Sequence, residues 1–402
     1  MSTTHRGRNT LITALAVIVM AAALGGLAAP GQHVAAAGPP SRVVVRPGES
    51  IQEAVDQAVT GSTILVRPGT YREQVRITTD GITLRGNHAR IVPPVVTVDG
   101  TCQEPGATAI CVIGDVDETG TVLDPVRDVS VTGFTVSGFT GTGLYAYGGD
   151  GITVSRNRFV DNGGYGTFAR RSTGITITDN LASRNVSAGI YVGINPDAKL
   201  LIAGNRSTEN REGLLLLDTV GGTIVDNDFS DNCVGALLAS SGAPGVAPSA
   251  DLDVIGNRVN DSNRACGPIG EVIPPLSGAG IVLAGTSDVL VFDNTVRRSV
   301  STGPTAVRSG ISVVAAFGGS AGTGNRIIGN RMADNVPVDL EVAAGGDVAV
   351  AANRCGTADI DGACKATVIP PALPGATEPT PADAAPTTSV SSSPATSEEA
   401  TP

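Results

Sequence analysis

The segment GITVSRNRFVDNGGYGTFA at residues 151–169 is followed by GITITDNLASRNVSAGIYV at residues 174–192, and the two align with each other. Each begins with alternating apolar and polar residues, reaches one asparagine and then a second, and resumes the alternation after a glycine. The pattern returns at residues 200–217 and 222–239. Self-similarity with a period of about 20–50 residues indicates that the chain folds as a stack of repeated units.

The first asparagine of this pattern recurs through most of the chain. It stands at Asn157, Asn180, Asn205, Asn227, Asn257, Asn294, Asn330 and Asn353. The second stands at Asn162, Asn185, Asn210, Asn232, Asn263 and Asn335, and the wider spacings hold insertions at residues 241–250, 264–277, 301–308 and 317–323. Asparagine tolerates left-handed backbone angles and bonds nearby backbone groups, so the series predicts a structural ladder of stacked turns and no catalytic role.

The repeat contains about three short β-branched runs, each ending at asparagine or glycine. A period of two is typical of strands, and the 52 glycines of the 402 residues suit a chain that turns often. Three short strands in a unit of roughly 22–25 residues predict an all-β fold, a single-stranded parallel β-helix. The regular asparagine coils are expected from about residue 128 to residue 354.

A short helix is predicted before the first coil. Ser50 and Glu53 form a capping box, and apolar residues follow at helical spacing up to Gly61. We therefore expect a helix at residues 50–60 that covers the open end of the solenoid.

These features together resemble a known family. The stretch VRPGESIQEAVDQAVTGSTILVRPGTYREQVRI at residues 45–77, with GITLRG at 81–86 and the coils that follow, resembles the secreted β-helix proteins of the pectin-lyase-like superfamily. The NosD-like and "right handed β-helix region" groups are the most similar, over residues 41–360. The resemblance implies a right-handed solenoid. It implies no single activity, because the superfamily includes lyases, glycosidases, epimerases, adhesins and maturation factors.

The two ends of the chain differ in composition from the middle. Residues 1–37 contain Arg6 and Arg8, an apolar run and a small-residue cleavage site, which predict a secretory signal peptide; an uncleaved anchor is the alternative. Residues 38–365 are predicted to form the β-helix domain. Residues 366–402 are rich in Pro, Ala, Thr and Ser, which predicts a disordered tail. The chain is therefore expected to be secreted, in the extracellular space or at the cell wall, with no membrane span after cleavage.

The charge of the chain restricts its partners. The sequence has 27 basic and 38 acidic residues, a net charge of −11, which argues against nucleic acid. It also disfavours a highly acidic polymer unless a local arginine patch or a bound cation offsets the field. The expected partner is a polysaccharide or cell-wall glycan, and the expected state is a monomer.

The six cysteines of an exported chain predict disulfides, for which fifteen connectivities exist. Pairing of nearest neighbours is favoured, giving Cys102–Cys111, Cys233–Cys266 and Cys355–Cys364. No cysteine or histidine spacing indicates a metal site, so no cofactor is predicted; calcium remains open but has no motif.

The predicted site lies on the strand that follows the second asparagine. Alternation directs Tyr145, Phe168 and Tyr191 outward on three successive coils, and the exposed ladder of rings is expected to bind a sugar chain. The substrate-binding candidates are Tyr145, Tyr147, Phe168, Arg170 and Tyr191. The catalytic candidates are Asp150, Asp197, Asp218, Lys199 and Arg170.

Two hypotheses remain open. The chain binds, or also modifies, a polysaccharide along this face; a lyase, hydrolase or epimerase activity would then be expected. Alternatively it is a non-enzymatic extracellular scaffold, and insertions or the tail cover the ladder, as its apolar continuation through Leu215, Leu237 and Val282 suggests. The two differ in whether charged side chains converge in an open groove.

Overall fold

A computed structural model describes residues 41–98, 102, 106–270, 273–316, 319, 322–342 and 347–364. The predicted signal peptide and the predicted tail at 366–402 lie outside these residues. Among the residues that the structure describes, no helix is long and apolar enough to cross a membrane.

The described residues form one short helix and thirty-three strands. In chain order they are β1 (Arg42–Val45), α1 (Ile51–Asp56), β2 (Thr63–Val66), β3 (Gly69–Arg72), β4 (Val75–Ile77), β5 (Thr83–Val92), β6 (Ile110–Ile113), β7 (Asp115–Val116), β8 (Val122–Asp124), β9 (Val126–Arg127), β10 (Ser130–Ser137), β11 (Leu144–Tyr147), β12 (Gly149–Asp150), β13 (Thr153–Ser155), β14 (Arg158–Val160), β15 (Thr167–Arg170), β16 (Thr176–Thr178), β17 (Leu181–Ser183), β18 (Ile190–Asn195), β19 (Leu200–Ala203), β20 (Arg206–Thr208), β21 (Glu212–Val225), β22 (Asp228–Ser230), β23 (Val234–Ala239), β24 (Ala250–Ile255), β25 (Arg258–Asn260), β26 (Ala279–Ala284), β27 (Leu290–Phe292), β28 (Thr295–Arg297), β29 (Ser309–Val314), β30 (Asn325–Ile328), β31 (Arg331–Ala333), β32 (Leu340–Val342) and β33 (Val348–Ala351).

Parallel pairing between successive coils arranges nearly all strands in three stacks. Stack 1 contains β1, β2, β13, β16, β19, β24, β27, β30 and β33. Stack 2 contains β3, β14, β17, β20, β22, β25, β28 and β31. Stack 3 contains β4, β6, β11, β15, β18, β23, β26, β29 and β32. β5 and β10 bend from stack 1 into stack 2, and β21 runs from stack 3 into stack 1. The predicted parallel β-helix is confirmed.

The interior of the solenoid is filled by the inward side chains of all three stacks. Val154 of stack 1, Phe159 of stack 2 and Leu144 of stack 3 belong to this single core, and each is almost fully buried. A glycine directly precedes β11, β15 and β18 of stack 3, and the close approach of neighbouring groups requires it. A Cβ atom at Gly166 would collide with the carbonyl oxygen of Gly189 in the next coil.

The predicted asparagine ladder runs along the turn between stacks 1 and 2. The backbone N–H of Asn157 donates to Asn180 Oδ1 at 2.9 Å, and Asn157 Nδ2 donates to Val131 O at 2.9 Å. The same bonds repeat from Asn180 through Asn330 to Asn353. The ladder satisfies buried backbone groups that no water reaches.

The second ladder, between stacks 2 and 3, differs from the prediction at one coil. Asn162, Asn185, Asn210 and Asn232 form a continuous chain of hydrogen bonds. In the next two coils the buried residues at this position are Ser262 and Ser299, so Asn263 is not a member. The sequence shows why, since each second asparagine lies five residues after the first, and five after Asn257 stands Ser262.

The N-terminal helix is shorter than predicted. It covers Ile51–Asp56, with Ser50 as N-cap accepting from the backbone N–H of Glu53. Glu73 of the first coil adds to the cap by accepting from the backbone N–H groups of Ile51 and Gln52. Ile51, Ala54 and Val55 join the solenoid core. Closure of the open end by this helix stays a prediction.

All three disulfides have the predicted nearest-neighbour pairing, Cys102–Cys111, Cys233–Cys266 and Cys355–Cys364. The first two lie over the outer face of stack 3, where Cys111 pairs in register with Tyr145, and Cys233 directly precedes β23.

Candidate functional site

The outer face of stack 3 carries the predicted aromatic ladder. Tyr145, Phe168 and Tyr191 stand in register on β11, β15 and β18. The ring centroids of Tyr145 and Phe168 are 4.8 Å apart, and those of Phe168 and Tyr191 are 4.2 Å apart and stacked. These rings belong to a cluster separate from the solenoid core, so they point outward as predicted.

The expected exposure of this ladder was wrong. Tyr145, Phe168 and Tyr191 are only 2%, 4% and 9% exposed. Cys102 lies over them through its disulfide, and Tyr165 packs against both Phe168 and Tyr191. The alternation of a strand predicts the direction of a side chain, but it carries no information about a distant segment that folds over it.

The second outward row, which contains Tyr147 and Arg170, is covered by the β7–β8 hairpin. Tyr147 donates its hydroxyl hydrogen to Gly120 O at the hairpin turn, at 2.5 Å. Arg170 Cζ lies 6.0 Å from the centroid of the Tyr147 ring. Tyr147 therefore helps to hold the cover in place and is not part of an open binding surface. Arg170 is half-buried beside its ring.

The aspartates proposed for catalysis have separate partners. Asp150 lies on β12 beside Arg127, where its charge helps to raise the pKa of that arginine after the nearer Asp124 and Asp80. Asp197 forms an exposed ion pair with Lys199 at 3.1 Å. Asp218 is buried and accepts from the backbone N–H of Ser241 at 2.8 Å.

None of these contacts joins two aspartates. Asp218 also lies out of register with Arg170, whose partners in the following coils are Gly193 and Leu217. The predicted acid/base pair is therefore not assembled by any contact among the described residues.

The insertion at residues 264–277 covers a second part of the outer face. It forms a small hairpin with bridges between Cys266 and Leu276 and between Ile269 and Ile273. Leu276 packs on Leu237 and Val282, which continue the row of the aromatic ladder. The Cys233–Cys266 disulfide fastens the insertion to the coil beneath it.

A cavity of ≈ 290 Å³ is lined by this insertion and by Tyr165, and we call it the slot. Its walls are mostly apolar, with four polar or charged residues among them. The lining residues are Tyr165, Ser187, Arg211, Glu212, Leu215, Leu217, Leu237, Ala239, Ser241, Ile269, Ile273, Pro274 and Leu276.

A buried ion pair stands at the slot. Arg211 Nε lies 3.2 Å from Glu212 Oε1, and the two side chains are 4% and 6% exposed. Arg211 also donates to Gly267 O and, at 2.6 Å, to Pro274 O, so it binds both arms of the insertion. Burial raises the pKa of Glu212 to about 7, and the charge of Arg211 opposes this rise.

Comparison with known proteins agrees with this architecture. Residues 119–296 match the family model described as "Right handed beta helix region". The chain has a right-handed parallel β-helix fold. The A-module of the mannuronan C-5 epimerase AlgE4 from Azotobacter vinelandii has a similar structure, with 16% identity, 77% of this chain and 92% of that one covered, and a TM-score of 0.50. A point mutant of the periplasmic alginate epimerase AlgG gives 15% identity, 78% and 73% coverage, and a TM-score of 0.53. At this identity the likeness shows the fold alone. No curated protein matches the chain.

Sequence reasoning missed the Arg211–Glu212 pair of this β-helix protein. One signal was available in the repeat itself. Between the second asparagine and the glycine, the neighbouring coils read Gly-Gly-Tyr, Val-Ser-Ala and Cys-Val, whereas this coil reads Arg-Glu. Two charged residues at a position that is otherwise small or apolar indicate a specific partner, here the insertion that Arg211 holds.

Proposed function

We propose that this right-handed β-helix protein binds a carbohydrate in the slot and does not cleave it. The observation that carries the proposal is the composition of the slot, in which apolar walls surround a small set of polar groups. A pyranose ring has apolar C–H faces and a polar edge of hydroxyls, and it matches such a site. Two structures with this fold are named as alginate epimerases, which supports a carbohydrate ligand.

The proposed binding mode uses the walls and the polar residues differently. Leu215, Leu237 and the ring of Tyr165 contact a sugar face. Glu212 and Ser241 bond its hydroxyl edge. Arg211 acts indirectly, because its terminal nitrogens bind the backbone of the insertion and so hold the wall of the slot.

The number of carboxylates argues against hydrolysis of the bound ligand. Hydrolysis of a glycosidic bond ordinarily needs two carboxyl groups on opposite sides of the bond. Glu212 is the only carboxylate among the described residues that line the slot. Asp218, the nearest aspartate in sequence, is bound to the backbone of Ser241.

The proposed location is the extracellular space or the cell wall. Three disulfides in a chain of this kind support an oxidising compartment. We propose that a signal peptide at residues 1–37 directs the export and that the chain acts as a monomer.

The test uses a panel of neutral and acidic glycans with the wild-type protein and two variants. Leu237→Phe fills the slot, and Leu201→Phe is the matched control because Leu201 lies exposed on stack 1. We expect one glycan class to bind, with affinity reduced about tenfold or more in Leu237→Phe and unchanged in Leu201→Phe. Equal affinity in both variants would place the glycan elsewhere. New reducing ends would contradict the proposal that the protein does not cleave its ligand.

A non-enzymatic scaffold is the second candidate function, and one observation favours it. The aromatic ladder, which was the most plausible sugar platform in the sequence, is sealed by Cys102, Tyr165 and the β7–β8 hairpin. A folded protein that binds no glycan of the panel, with or without calcium, would support this candidate.

A further inference from the structure

The outer face of stack 2 carries a row in which arginine occupies every second coil. Parallel register connects the row without interruption from β5 to β31. Its members are Arg90, Thr135, Arg158, Leu181, Arg206, Asp228, Arg258, Thr295 and Arg331. Neighbouring coils lie about 4.8 Å apart, so successive arginines of the row are separated by roughly 9.6 Å at the backbone.

The arginines of this row are exposed, and the residues between them are half-buried. The guanidinium groups of the row therefore project further into solvent than the residues between them. We call it the arginine row.

Three of these arginines have no acidic partner. In the described part of the chain, no carboxylate lies within 4.0 Å of the guanidinium of Arg158, Arg206 or Arg258. Arginines elsewhere on the solenoid do pair between coils, as Arg184 does with Asp161 and Arg298 with Asp261, each at 2.7 Å. Ion pairing between coils is therefore available to this fold, and the centre of the row does not use it.

The floor between the arginines is shaped to receive a ligand. A shallow depression of ≈ 490 Å³ lies between Arg158 and Arg206. Its lining includes Leu181, the hydroxyl residues Ser183 and Thr208, and one acidic residue, Asp179. A second depression of ≈ 520 Å³ surrounds Arg90 on the same face. Leu181 offers an apolar contact, and the hydroxyls offer hydrogen bonds.

We propose that the arginine row binds a linear acidic polysaccharide in which every second sugar carries a carboxylate. Two pyranose units of an extended chain span about the same distance as two coils, so each carboxylate meets one guanidinium. Arginine binds carboxylates with two parallel hydrogen bonds, which suits this pairing. The intervening uncharged sugar would lie over Leu181 between Arg158 and Arg206, and over Asp228 between Arg206 and Arg258. The hydroxyl of Ser230 donates to Asp228 Oδ1 at 2.8 Å.

Charge density favours this partner over nucleic acid. Double-stranded DNA carries one charge per about 1.7 Å, several times the density of the row. Asp228 stands in the row between Arg206 and Arg258, and the coil corners beside the row carry Asp179, Asp226 and Asp231. These carboxylates would repel a dense polyanion. A polymer with one carboxylate per two sugars places its charges at the arginines alone.

The experiment is affinity electrophoresis of the full chain in gels that contain hyaluronan, which has a carboxylate on every second sugar. Polygalacturonate, with a carboxylate on every sugar, and neutral dextran are the comparison polymers. The test variant is Arg158→Gln/Arg206→Gln/Arg258→Gln. The control Arg156→Gln/Arg184→Gln/Arg298→Gln removes the same charge from exposed corner positions.

We expect hyaluronan to retard the wild-type protein more than either other polymer does. The apparent Kd should rise about tenfold or more in the test variant and change less than about twofold in the control, and its salt dependence should weaken only in the test variant. Circular dichroism of both variants checks that they are folded.

Three results would overturn the proposal. They are no retardation by hyaluronan, equal losses in test and control variants, and tighter binding to duplex DNA or anionic vesicles than to hyaluronan. The proposal does not rest on the slot, because no substitution touches a residue that lines it. A failure of the arginine row therefore leaves the slot proposal intact.

Discussion

The outer faces of stack 3 and stack 2 are made by the same coils, yet one is covered and the other is bare. On stack 3, the outward residues Tyr145 and Phe168 lie beneath the Cys102–Cys111 disulfide, and Leu237 lies beneath an insertion. On stack 2, the outward residues Arg158 and Arg206 reach solvent. The difference separates the outward side chains into two apolar clusters on one face and a line of cations on the other.

The turns between the stacks explain where covers can arise. The turn from stack 1 to stack 2 is two residues long in each coil of the ladder from Asn157 to Asn353. The hydrogen bonds of the ladder leave no room for an insertion in this turn. The turn from stack 2 to stack 3 accepts residues 264–277 and 301–308, which fold onto stack 3. The length of a turn varies only where the continuous ladder does not fix it. These turns adjoin stack 3, so the insertions cover that stack.

The largest expected effect tests how the cover is held. Arg211→Met should lower the free energy of unfolding at pH 8 by about 3–5 kcal/mol, because the buried Glu212 must then either stay charged without a partner or take up a proton at pH 8. It also removes the bonds from Arg211 to Gly267 O and Pro274 O. Urea unfolding of the wild type and the variant measures the difference.

The control is the double variant Arg211→Met/Glu212→Leu, which removes both charges together. Replacing a whole buried pair by apolar residues is often neutral or stabilising, so the double variant should recover most of the loss. Equal destabilisation of both variants would show that the bonds to the insertion matter and that the buried charge does not.

The fold was predictable because the same sequence pattern recurs in many coils. Asn157 and its equivalents recur in eight coils, so a single atypical coil does not obscure the period. The disulfides were predictable for a different reason, since Cys102–Cys111 and Cys355–Cys364 are each only nine residues apart. The second ladder was predicted wrongly at Asn263, because its buried position in that coil holds a serine, Ser262, and the prediction followed asparagines alone.

The site was less predictable than the fold. The direction of Tyr145, Phe168 and Tyr191 followed from strand alternation, whereas their burial depends on contacts with residues distant in sequence, such as Cys102. The arginine row had a signal in the sequence that the prediction did not use, because Arg158, Arg206 and Arg258 each directly follow an asparagine of the first ladder. The register of the strands shows that these positions form one row.

The next effect is a pH dependence specific to the covered face. The pKa of Glu212 rises from its ordinary 4.5 to about 7 in the folded chain, so the folded state binds the proton more tightly than the unfolded state. Proton binding by Glu212 therefore adds about 3 kcal/mol to the free energy of unfolding at low pH. This stabilisation is fully present below pH 4.5, declines between pH 4.5 and 7, and is lost above about pH 7.

Glu212→Gln should abolish that decline, which urea unfolding at several pH values measures. Asp161 and Asp261 on the bare faces do not interfere. Hydrogen bonds from Arg184 and Arg298 lower the pKa of these two carboxyls below 3.8, so their contribution changes at lower pH. A decline of the same size in Glu212→Gln would assign the titration to another group.

A smaller effect is expected at the β7–β8 hairpin. Tyr147→Phe keeps the ring beneath the cover and removes the hydroxyl that donates to Gly120 O. The loss should be about 1 kcal/mol, the usual contribution of one hydrogen bond, with faster amide exchange in the hairpin than in the solenoid core. Unchanged exchange in residues 115–124 would mean that the hairpin is held without this bond, by the apolar contacts of Val116 and Val122 and by the bond from Arg171 to Gly120 O.

The smallest expected effect on stability belongs to the arginine row. Arg158→Gln, Arg206→Gln and Arg258→Gln should each change the free energy of unfolding by less than about 0.5 kcal/mol, because the side chains are exposed and unpaired. Thermal melts measure this directly. A stable variant that no longer binds hyaluronan would separate recognition from folding on this face. On the covered face the Arg211 and Glu212 side chains support both the fold and the proposed site, so the two faces would differ in function as they differ in structure.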